Sequence, residues 1–335
     1  MFKRIGQILC AMLVLGTVAA VNADTVRLTY STLFPPTHDQ AKLAEAWGKE
    51  VEKRTGGQVV VEFYHGGTLT KADQVYGGVV EGISDMGMSV LAYSRGRFPV
   101  MAAVDLPLGY PDGVTATTVA NGVFEKFQPK EFNDVQVMYF HAHGPGYINT
   151  KDKPVKSLTD LKGLKLRATG NSAKLVEALG CTPVSQPMSE TYQSIQKGVV
   201  DGSVHPQESN RGWRLAEVVN VCIEAPEVAY TTVFFVVMNK AKWAKLTGDV
   251  QKTILAVNAE WAKKHGQQWD ASDSDGREFF AAKGGKFIKL DSAETAKWKA
   301  AVAPIMDAYV KEATGKHVDG KAVVDYITAA LQAAK

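Results

Sequence analysis

The segment LKLRATGNSAKLVEALGCTPV, residues 164–184, contains the pattern that decides the fold class. Leu164 and Leu166 alternate with charged residues, as expected of a half-buried strand. Leu175 to Leu179 belongs to a helix, and Thr182 to Gln186 forms the next strand. A strand, a helix and a second strand in this order predict a βαβ unit, and therefore an α/β fold.

The same alternation occurs nearer the N-terminus. Three strands are predicted here, Thr25–Tyr30, Gln58–Tyr64 and Asp85–Val90. The first two are separated by a helix in which Leu43, Trp47 and Val51 face the core, and the last two by the helix Ala72–Glu81. This order predicts a mostly parallel sheet covered on both faces. A later apolar run, Val228–Met238, predicts a strand that crosses back between two lobes.

The C-terminal third is predicted to be helical. Six residues fall on the same face of one predicted helix over about 20 residues: Val250, Ile254, Val257, Trp261, His265 and Trp269. A helix of that length either packs across both lobes as a strut or lies on one lobe, and the pattern leaves both open. Thr295–Ala334 predicts two further helices with a break at Asp319-Gly320.

The first 23 residues have the layout of a secretory signal peptide. Lys3 and Arg4 precede an apolar stretch, and Val21-Asn22-Ala23 forms a small-x-small cleavage site. We therefore expect export and cleavage after Ala23. Removal of Lys3 and Arg4 with this segment would change the formal net charge from +3 to +1, and a near-neutral chain gives no argument for binding nucleic acid. An oxidising compartment permits a disulfide between Cys181 and Cys222, but two buried free thiols fit the sequence equally well.

Motifs of catalysis are missing from the sequence. It has no Gly-x-Ser-x-Gly elbow, no phosphate-binding loop and no His-Glu-x-x-His helix. His141 and His143 share a strand face, but no carboxylate or cysteine at a suitable spacing completes a metal site. Asp105, Glu190 and Glu208 could serve an enzyme, yet no pattern pairs them. We predict a protein that is not an enzyme and needs neither metal nor cofactor.

Arg167 is the most informative charged residue. It ends a predicted strand, and ligands of open α/β sheets bind beyond the carboxyl ends of strands. A guanidinium group there can hold a carboxylate through two parallel hydrogen bonds. The free N–H groups of the helix that begins near Asn171-Ser172 would favour the same anion. The alternative is a surface arginine paired with a local acid.

Three ordered segments make the sequence similar to a known family. They are Ser157–Arg167 (SLTDLKGLKLR), Ala178–Val184 (ALGCTPV) and Glu190–Gly202 (ETYQSIQKGVVDG), with a weaker match at Gly82–Gly87 (GISDMG). Over essentially the whole mature chain, the sequence resembles the extracytoplasmic binding subunits of tripartite ATP-independent periplasmic (TRAP) transporters. The resemblance implies a periplasmic binding protein that captures a small organic carboxylate and delivers it to TRAP membrane permease subunits.

The resemblance also implies the architecture. It implies two α/β lobes of the periplasmic-binding-protein type, with a hinge and a long bridging helix. We expect residues 24–148 and 236–277 in lobe 1, residues 149–235 and 278–335 in lobe 2, and a monomer. The family's carboxylate-gripping arginine falls on Arg167.

Two departures from the family pattern concern the ligand. Ser203–Glu208 replaces the region where many members have an asparagine, and no second arginine stands near Gly146-Tyr147. We therefore expect a monocarboxylate with an apolar or aromatic body. The remaining candidate contacts are Phe34, His38, Tyr93, His143, Tyr147, His205, Glu208, Trp213 and Tyr230. A dicarboxylate-binding TRAP subunit, the binding protein of an ATP-driven importer and a sensory receptor module remain alternatives.

Overall fold

The computed structural model describes residues 25–334, whose strands form two separate sheets. The first sheet has the order β2-β1-β3-β10-β4 and is built from β1 (Val26–Thr32), β2 (Val59–Tyr64), β3 (Met86–Val90), β4 (Val135–Ala142) and β10 (Val233–Asn239). β1 pairs in parallel with β2 and β3, whereas β10 runs antiparallel between β3 and β4. β3 is wholly buried, which explains its lack of apolar–polar alternation.

The second sheet has six strands in the order β11-β9-β5-β8-β6-β7. Its strands are β5 (Gly146–Thr150), β6 (Lys165–Arg167), β7 (Thr182–Val184), β8 (Gly202–Pro206), β9 (Val221–Glu224) and β11 (Lys286–Lys289). β6 pairs in parallel with both β7 and β8, so the carboxyl ends of these three strands lie at one edge of the sheet. β5 is antiparallel to its neighbours β8 and β9.

Helices cover both sheets. The larger ones in the first half are α1 (Asp39–Arg54), α2 (Val75–Val80) and α3 (Gly113–Phe127), followed by α4 (Leu158–Leu161), α5 (Asn171–Ala178), α6 (Met188–Gln196), α7 (Glu208–Gly212) and α8 (Lys240–Trp243). The C-terminal ones are α9 (Gly248–Ala282), α10 (Ser292–Val302), α11 (Pro304–Thr314) and α12 (Gly320–Ala333). The longer helices bury an apolar face against a sheet or another helix, as Trp47 and Val51 of α1 do.

Three segments connect the two sheets. The chain crosses from the first sheet to the second between β4 and β5, and it returns between β9 and β10. The two crossing segments lie side by side, and the N–H of Gly146 in one donates to the carbonyl of Tyr230 in the other at 2.8 Å. The third connection is α9, which packs on α1, α3 and β4 of the first sheet's layer and on α7 beside the second sheet. The two-lobed α/β fold is confirmed, and α9 is the strut rather than a helix on one lobe.

The expectation of a mostly parallel first sheet is confirmed, because β1, β2, β3 and β4 run in the same direction and β10 runs against them. The second sheet is built in the same way, with β5 antiparallel to the other five strands. The number of C-terminal helices needs correction. The C-terminal segment has a second break, before Pro304, which occupies the first turn of α11. A proline there lacks the N–H needed to continue the preceding helix, so α10 and α11 are separate.

The exact lobe boundaries remain a prediction. β10 begins at Val233, and α12 packs on α3 although residues 278–335 were assigned to the other lobe. Within residues 25–334, none of the helices combines the length and the apolar composition needed to cross a membrane. The predicted signal peptide, residues 1–23, lies outside the described residues.

Candidate ligand-binding site

Arg167 lies at the edge of the second sheet where β6 ends, and its side chain is buried although it is permanently charged. Its Nε donates to the carbonyl of Gln186 at 3.0 Å, and Nη2 lies 3.4 Å from the hydroxyl oxygen of Tyr93. Among residues 25–334, Arg167 takes part in none of the ion pairs within 4.0 Å. A buried guanidinium group without a carboxylate partner is costly, and an anionic ligand would supply that partner. The alternative of a surface arginine paired with a local acid is therefore excluded.

A small cavity opens beside Arg167 between the lobes. Seven of the ten candidate residues line it: Phe34, Tyr93, His143, Arg167, Glu208, Trp213 and Tyr230. The sequence analysis missed nine further lining residues, which are Leu33, Val90, Thr169, Met188, Pro206, Ser209, Thr232, Phe234 and Trp269. The cavity is thus largely apolar and aromatic, with one cation and one carboxylate among its walls.

Aromatic rings form one continuous wall of this cavity. The ring of Phe234 stacks on those of Phe34 and Trp269, with centroid distances of 5.4 and 5.1 Å, and the rings of Phe34 and Trp269 lie 6.1 Å apart. Trp213, half-buried, extends the wall with its ring 6.0 Å from that of Phe34. Such a wall favours the flat apolar body of a ligand through burial and ring–ring contact.

Tyr93 joins the two lobes at the cavity. It follows β3 of the first sheet, and its hydroxyl oxygen accepts a hydrogen bond of 2.9 Å from the N–H of Met188, at the start of α6. Arg167 approaches the same oxygen. Because both contacts use the oxygen as acceptor, the hydroxyl hydrogen of Tyr93 is free to donate to a ligand oxygen near Arg167.

His143 lies in the field of two opposite charges. The pKa of His143 is lowered to about 4, mainly by burial and to a smaller extent by the charge on Arg167, while the hydrogen bond to Gly144 and the charge of Glu208 oppose the shift. The imidazole is therefore neutral near pH 7. Its Nδ1 lies 2.6 Å from the carbonyl oxygen of Gly144, which can only accept, so Nδ1 carries the proton and Nε2 is an acceptor.

Glu208 is the carboxylate of the cavity. It begins α7, directly after β8, and is buried. Its Oε1 lies 2.8 Å from Nε2 of His38, although the N–H is not well aligned with the oxygen, and its Oε2 accepts from Ser209 at 3.1 Å. Burial raises the pKa of nearby Asp273 well above its usual range, and the charge of Glu208 adds to that shift.

Three candidate residues do not line the cavity. His38 lies behind Glu208 and caps α1, accepting from the N–H of Gln40 at 3.2 Å. Tyr147 packs instead against a separate apolar cluster that includes Cys222 and Phe280. The ring of His205 is used within the protein, where it contacts the Ser203 hydroxyl at 2.6 Å and the side chain of Asn210 at 3.4 Å.

The histidine pair considered for metal binding is directed elsewhere. Nδ1 of His141 accepts from the indole of Trp269 at 3.0 Å, and its Nε2 lies 3.2 Å from the sulfur of Met88. Among the described residues no three His, Cys, Asp or Glu side chains gather as a metal site. Cys181 and Cys222 are both buried free thiols, so of the two arrangements left open by the sequence the structure has the unbridged one.

Comparison with known proteins identifies the family. The sequence profile of DctP, bacterial extracellular solute-binding protein family 7, matches residues 30–312. A TRAP periplasmic solute-binding protein from Desulfovibrio salexigens, solved as an open complex, is 34% identical with a TM-score of 0.80, and covers 91% of this chain and 95% of its own.

Two further solved structures contain ligands. A marine metagenome TRAP solute-binding protein specific for aromatic acid ligands, in complex with 3-hydroxybenzoate, is 30% identical with a TM-score of 0.87, covering 92% of this chain and 98% of its own. A TRAP solute-binding protein from Rhodoferax ferrireducens with copurified benzoate is 27% identical with a TM-score of 0.86 and the same coverage. The fold, the family profile and these neighbours agree: the chain belongs to the DctP family of bacterial extracellular solute-binding proteins, and it is a TRAP solute-binding protein.

Proposed function

We propose that this protein binds a small aromatic monocarboxylate in the cavity beside Arg167 and delivers it to a TRAP permease. The observation that carries the proposal is the buried Arg167 without a carboxylate partner, in a cavity that has a wall of aromatic rings. The ligand carboxylate would pair with the guanidinium group and accept from Tyr93, while the ring would lie against Phe34, Trp213 and Phe234.

The neighbours support the aromatic body of the ligand. The marine protein and the Rhodoferax protein, 30% and 27% identical to this chain, hold 3-hydroxybenzoate and benzoate. A small dicarboxylate would place its second charge among aromatic rings, and within residues 25–334 Arg167 is the one arginine that lines the cavity. Burial of that unpaired charge would weaken its binding.

Calorimetry with the purified mature protein tests the proposal. We expect benzoate, mandelate or a hydroxybenzoate to bind more tightly than succinate or glucuronate. Arg167→Ala should weaken binding roughly 30-fold or more, because the ligand charge loses its charge-assisted partner. Arg167→Lys should restore only part of it, since an ammonium group cannot form the bidentate pair.

The matched control is Arg214→Ala, which removes an exposed arginine paired with Glu217. It should leave affinity unchanged. If succinate bound preferentially, or if Arg167→Ala bound the preferred ligand as tightly as the wild type, the proposed ligand class or the anchor would be wrong.

We also propose that residues 1–23 direct export to the periplasm and are then removed, as the charged start, apolar stretch and small-residue site indicate. The intact mass of protein recovered from the periplasmic fraction of a bacterial host should correspond to residues 24–335. Recovery of the full-length chain in the cytoplasmic fraction would contradict this.

A further inference from the structure

The cavity has a second ionisable side chain, Glu208, to which carboxylate binding by Arg167 gives no role. Glu208 follows β8, and Arg167 ends β6. Because these neighbouring strands are parallel, both residues lie at the same edge of the second sheet. The cavity therefore has a cation and an anion in its walls, and His143 lies within the field of both.

Packing and hydrogen bonds hold the Glu208 side chain in one place. The backbone N–H of Glu208 donates to Oδ1 of Asp273 at 2.7 Å, and Ser209 donates to Oε2. A Cβ at Gly212 would lie 1.8 Å from Oε1, so only glycine leaves room for the carboxylate. The group is thus fixed, with the imidazole of His38 as its basic neighbour.

The neighbouring histidine shows which role remains for Glu208. Nδ1 of His38 accepts from the N–H of Gln40, so the proton of a neutral His38 is on Nε2, the atom facing Glu208. An ionised carboxylate offers about four acceptor positions, and these two side-chain contacts leave some of them unused. The Glu208 carboxylate can therefore accept a hydrogen bond from a ligand.

We propose that Glu208 selects ligands that carry a hydroxyl group on the body attached to the carboxylate, and that it rejects ligands with a second carboxylate. This inference rests on the proposed function and refines its ligand class to hydroxylated aromatic monocarboxylates. A ligand hydroxyl donates to Glu208 as a charge-assisted hydrogen bond, which is stronger than a neutral one. A second carboxylate at that position meets a like charge in a desolvated site.

The test compares matched ligands by calorimetry. Wild-type protein is titrated with benzoate, the three hydroxybenzoates, phenylacetate, mandelate and isophthalate. At least one hydroxylated ligand should bind tenfold or more tightly than its unsubstituted parent, and isophthalate should bind more weakly than benzoate. This measurement needs no variant, so it decides the question even if a substitution at Glu208 prevents folding.

Glu208→Gln then isolates the charge while keeping the shape. We expect the hydroxyl preference to fall below threefold and the affinity for isophthalate to rise relative to benzoate. Glu227→Gln, at an exposed glutamate, should change neither ratio. Equal binding of benzoate and every hydroxybenzoate by the wild type, or an unchanged preference in Glu208→Gln, would overturn this inference and leave the proposed function standing. Failure of every aromatic monocarboxylate to bind would overturn both.

Discussion

At the residue scale, Arg167 was predictable because two simple rules locate it. Strand alternation separates it from Leu166, and the end of β6 lies at the ligand-binding edge of the sheet. His205 shows the limit of such rules. It lies two residues after Ser203 on β8, and its ring is used by Ser203 and Asn210, a contact that depends on the tertiary fold.

The missed residues Phe234 and Trp269 have a different explanation. Both come from segments that were correctly predicted to be buried, β10 and α9. A sequence pattern indicates that such a side chain is buried but does not distinguish core from cavity wall. Their contact with Phe34, some 200 residues earlier in the chain, exists only after the lobes assemble.

Trp213 has features of both a ligand contact and a core residue, and a substitution can separate them. It lines the cavity and also packs against the apolar clusters of both lobes. Trp213→Ala should weaken binding of the preferred aromatic ligand about tenfold, because ring contact and buried area are lost together. It should also lower the free energy of unfolding, by roughly 1–3 kcal/mol, because the side chain is only half-buried.

Trp243→Ala is the matched control for Trp213→Ala. Trp243 is also half-buried, but it lies on α8 and is not among the residues of the cavity wall. This variant should lose stability without losing affinity when both are measured by urea unfolding and calorimetry. Unchanged affinity in Trp213→Ala would make Trp213 a packing residue alone.

At the element scale, the positions of strands and helices were more predictable than their arrangement. The six positions that predicted α9 are all buried in it. Strand order was not predictable. The apolar sequence of a strand such as β10 indicates that the strand is buried, but it does not indicate which two strands it lies between. The break before Pro304 could have been predicted from the proline itself.

The approach of α9 to the site depends on a glycine near the C-terminal end of the helix. A Cβ at Gly276 would lie 2.1 Å from the carbonyl oxygen of Gln207 and 2.9 Å from Cα of Glu208. Gly276→Ala should therefore lower the free energy of unfolding by roughly 1–3 kcal/mol, since backbone must move to make room. Because the same backbone positions Glu208, this variant should also bind ligand more weakly.

Gly248, the first residue of α9, provides the control. A Cβ there would meet nothing within 4 Å, and alanine favours the helix. Gly248→Ala should leave the stability unchanged or raise it by up to about 1 kcal/mol. Urea unfolding of both variants measures the difference, and equal stabilities would show that α9 and α7 do not pack as closely as described.

At the scale of the whole molecule, buried ionisable groups predict a stability maximum near pH 6–7. Burial lowers the pKa of His205 and His265 to about 3 and of His143 to about 4, and lowers that of His141 as well. A lowered histidine pKa means that the unfolded chain binds protons first as the pH falls below about 6.5, which destabilises the fold. The free energy of unfolding should therefore fall by several kcal/mol between about pH 6.5 and pH 5.

Asp105 has the opposite effect on the alkaline side. Burial raises its pKa to about 8, although the hydrogen bond from the N–H of Val233 partly opposes the shift. The folded protein therefore keeps a proton that the unfolded chain releases above about pH 4, and stability declines as the pH rises from about 4 to about 8. Relative to wild type, Asp105→Asn should be more stable at pH 8.5 than at pH 6, by at least about 1 kcal/mol. Urea unfolding across this range measures both effects, and a difference independent of pH would show that Asp105 is ionised in the fold.

Closure of the two lobes is the last prediction, and it follows from how the site is divided between them. Tyr93 and Phe34 belong to the first sheet's side, whereas Arg167 and Glu208 belong to the second. The direct hydrogen bonds that join the cavity walls across this gap include those that Met188 and Arg167 donate to Tyr93. A ligand that contacts both sides therefore adds its binding free energy to the closed arrangement only, which shifts the equilibrium towards it.

Small-angle scattering should then show a smaller radius of gyration at saturating ligand than without ligand. The strut α9 and the paired passages between the sheets permit a hinge motion in which each sheet stays intact. Arg167→Ala, at the same ligand concentration, should keep the larger radius because it binds too little ligand to favour closure. A wild-type profile that stays the same at saturation would mean that the lobes do not move, and that ligand enters a cavity whose walls are already in place.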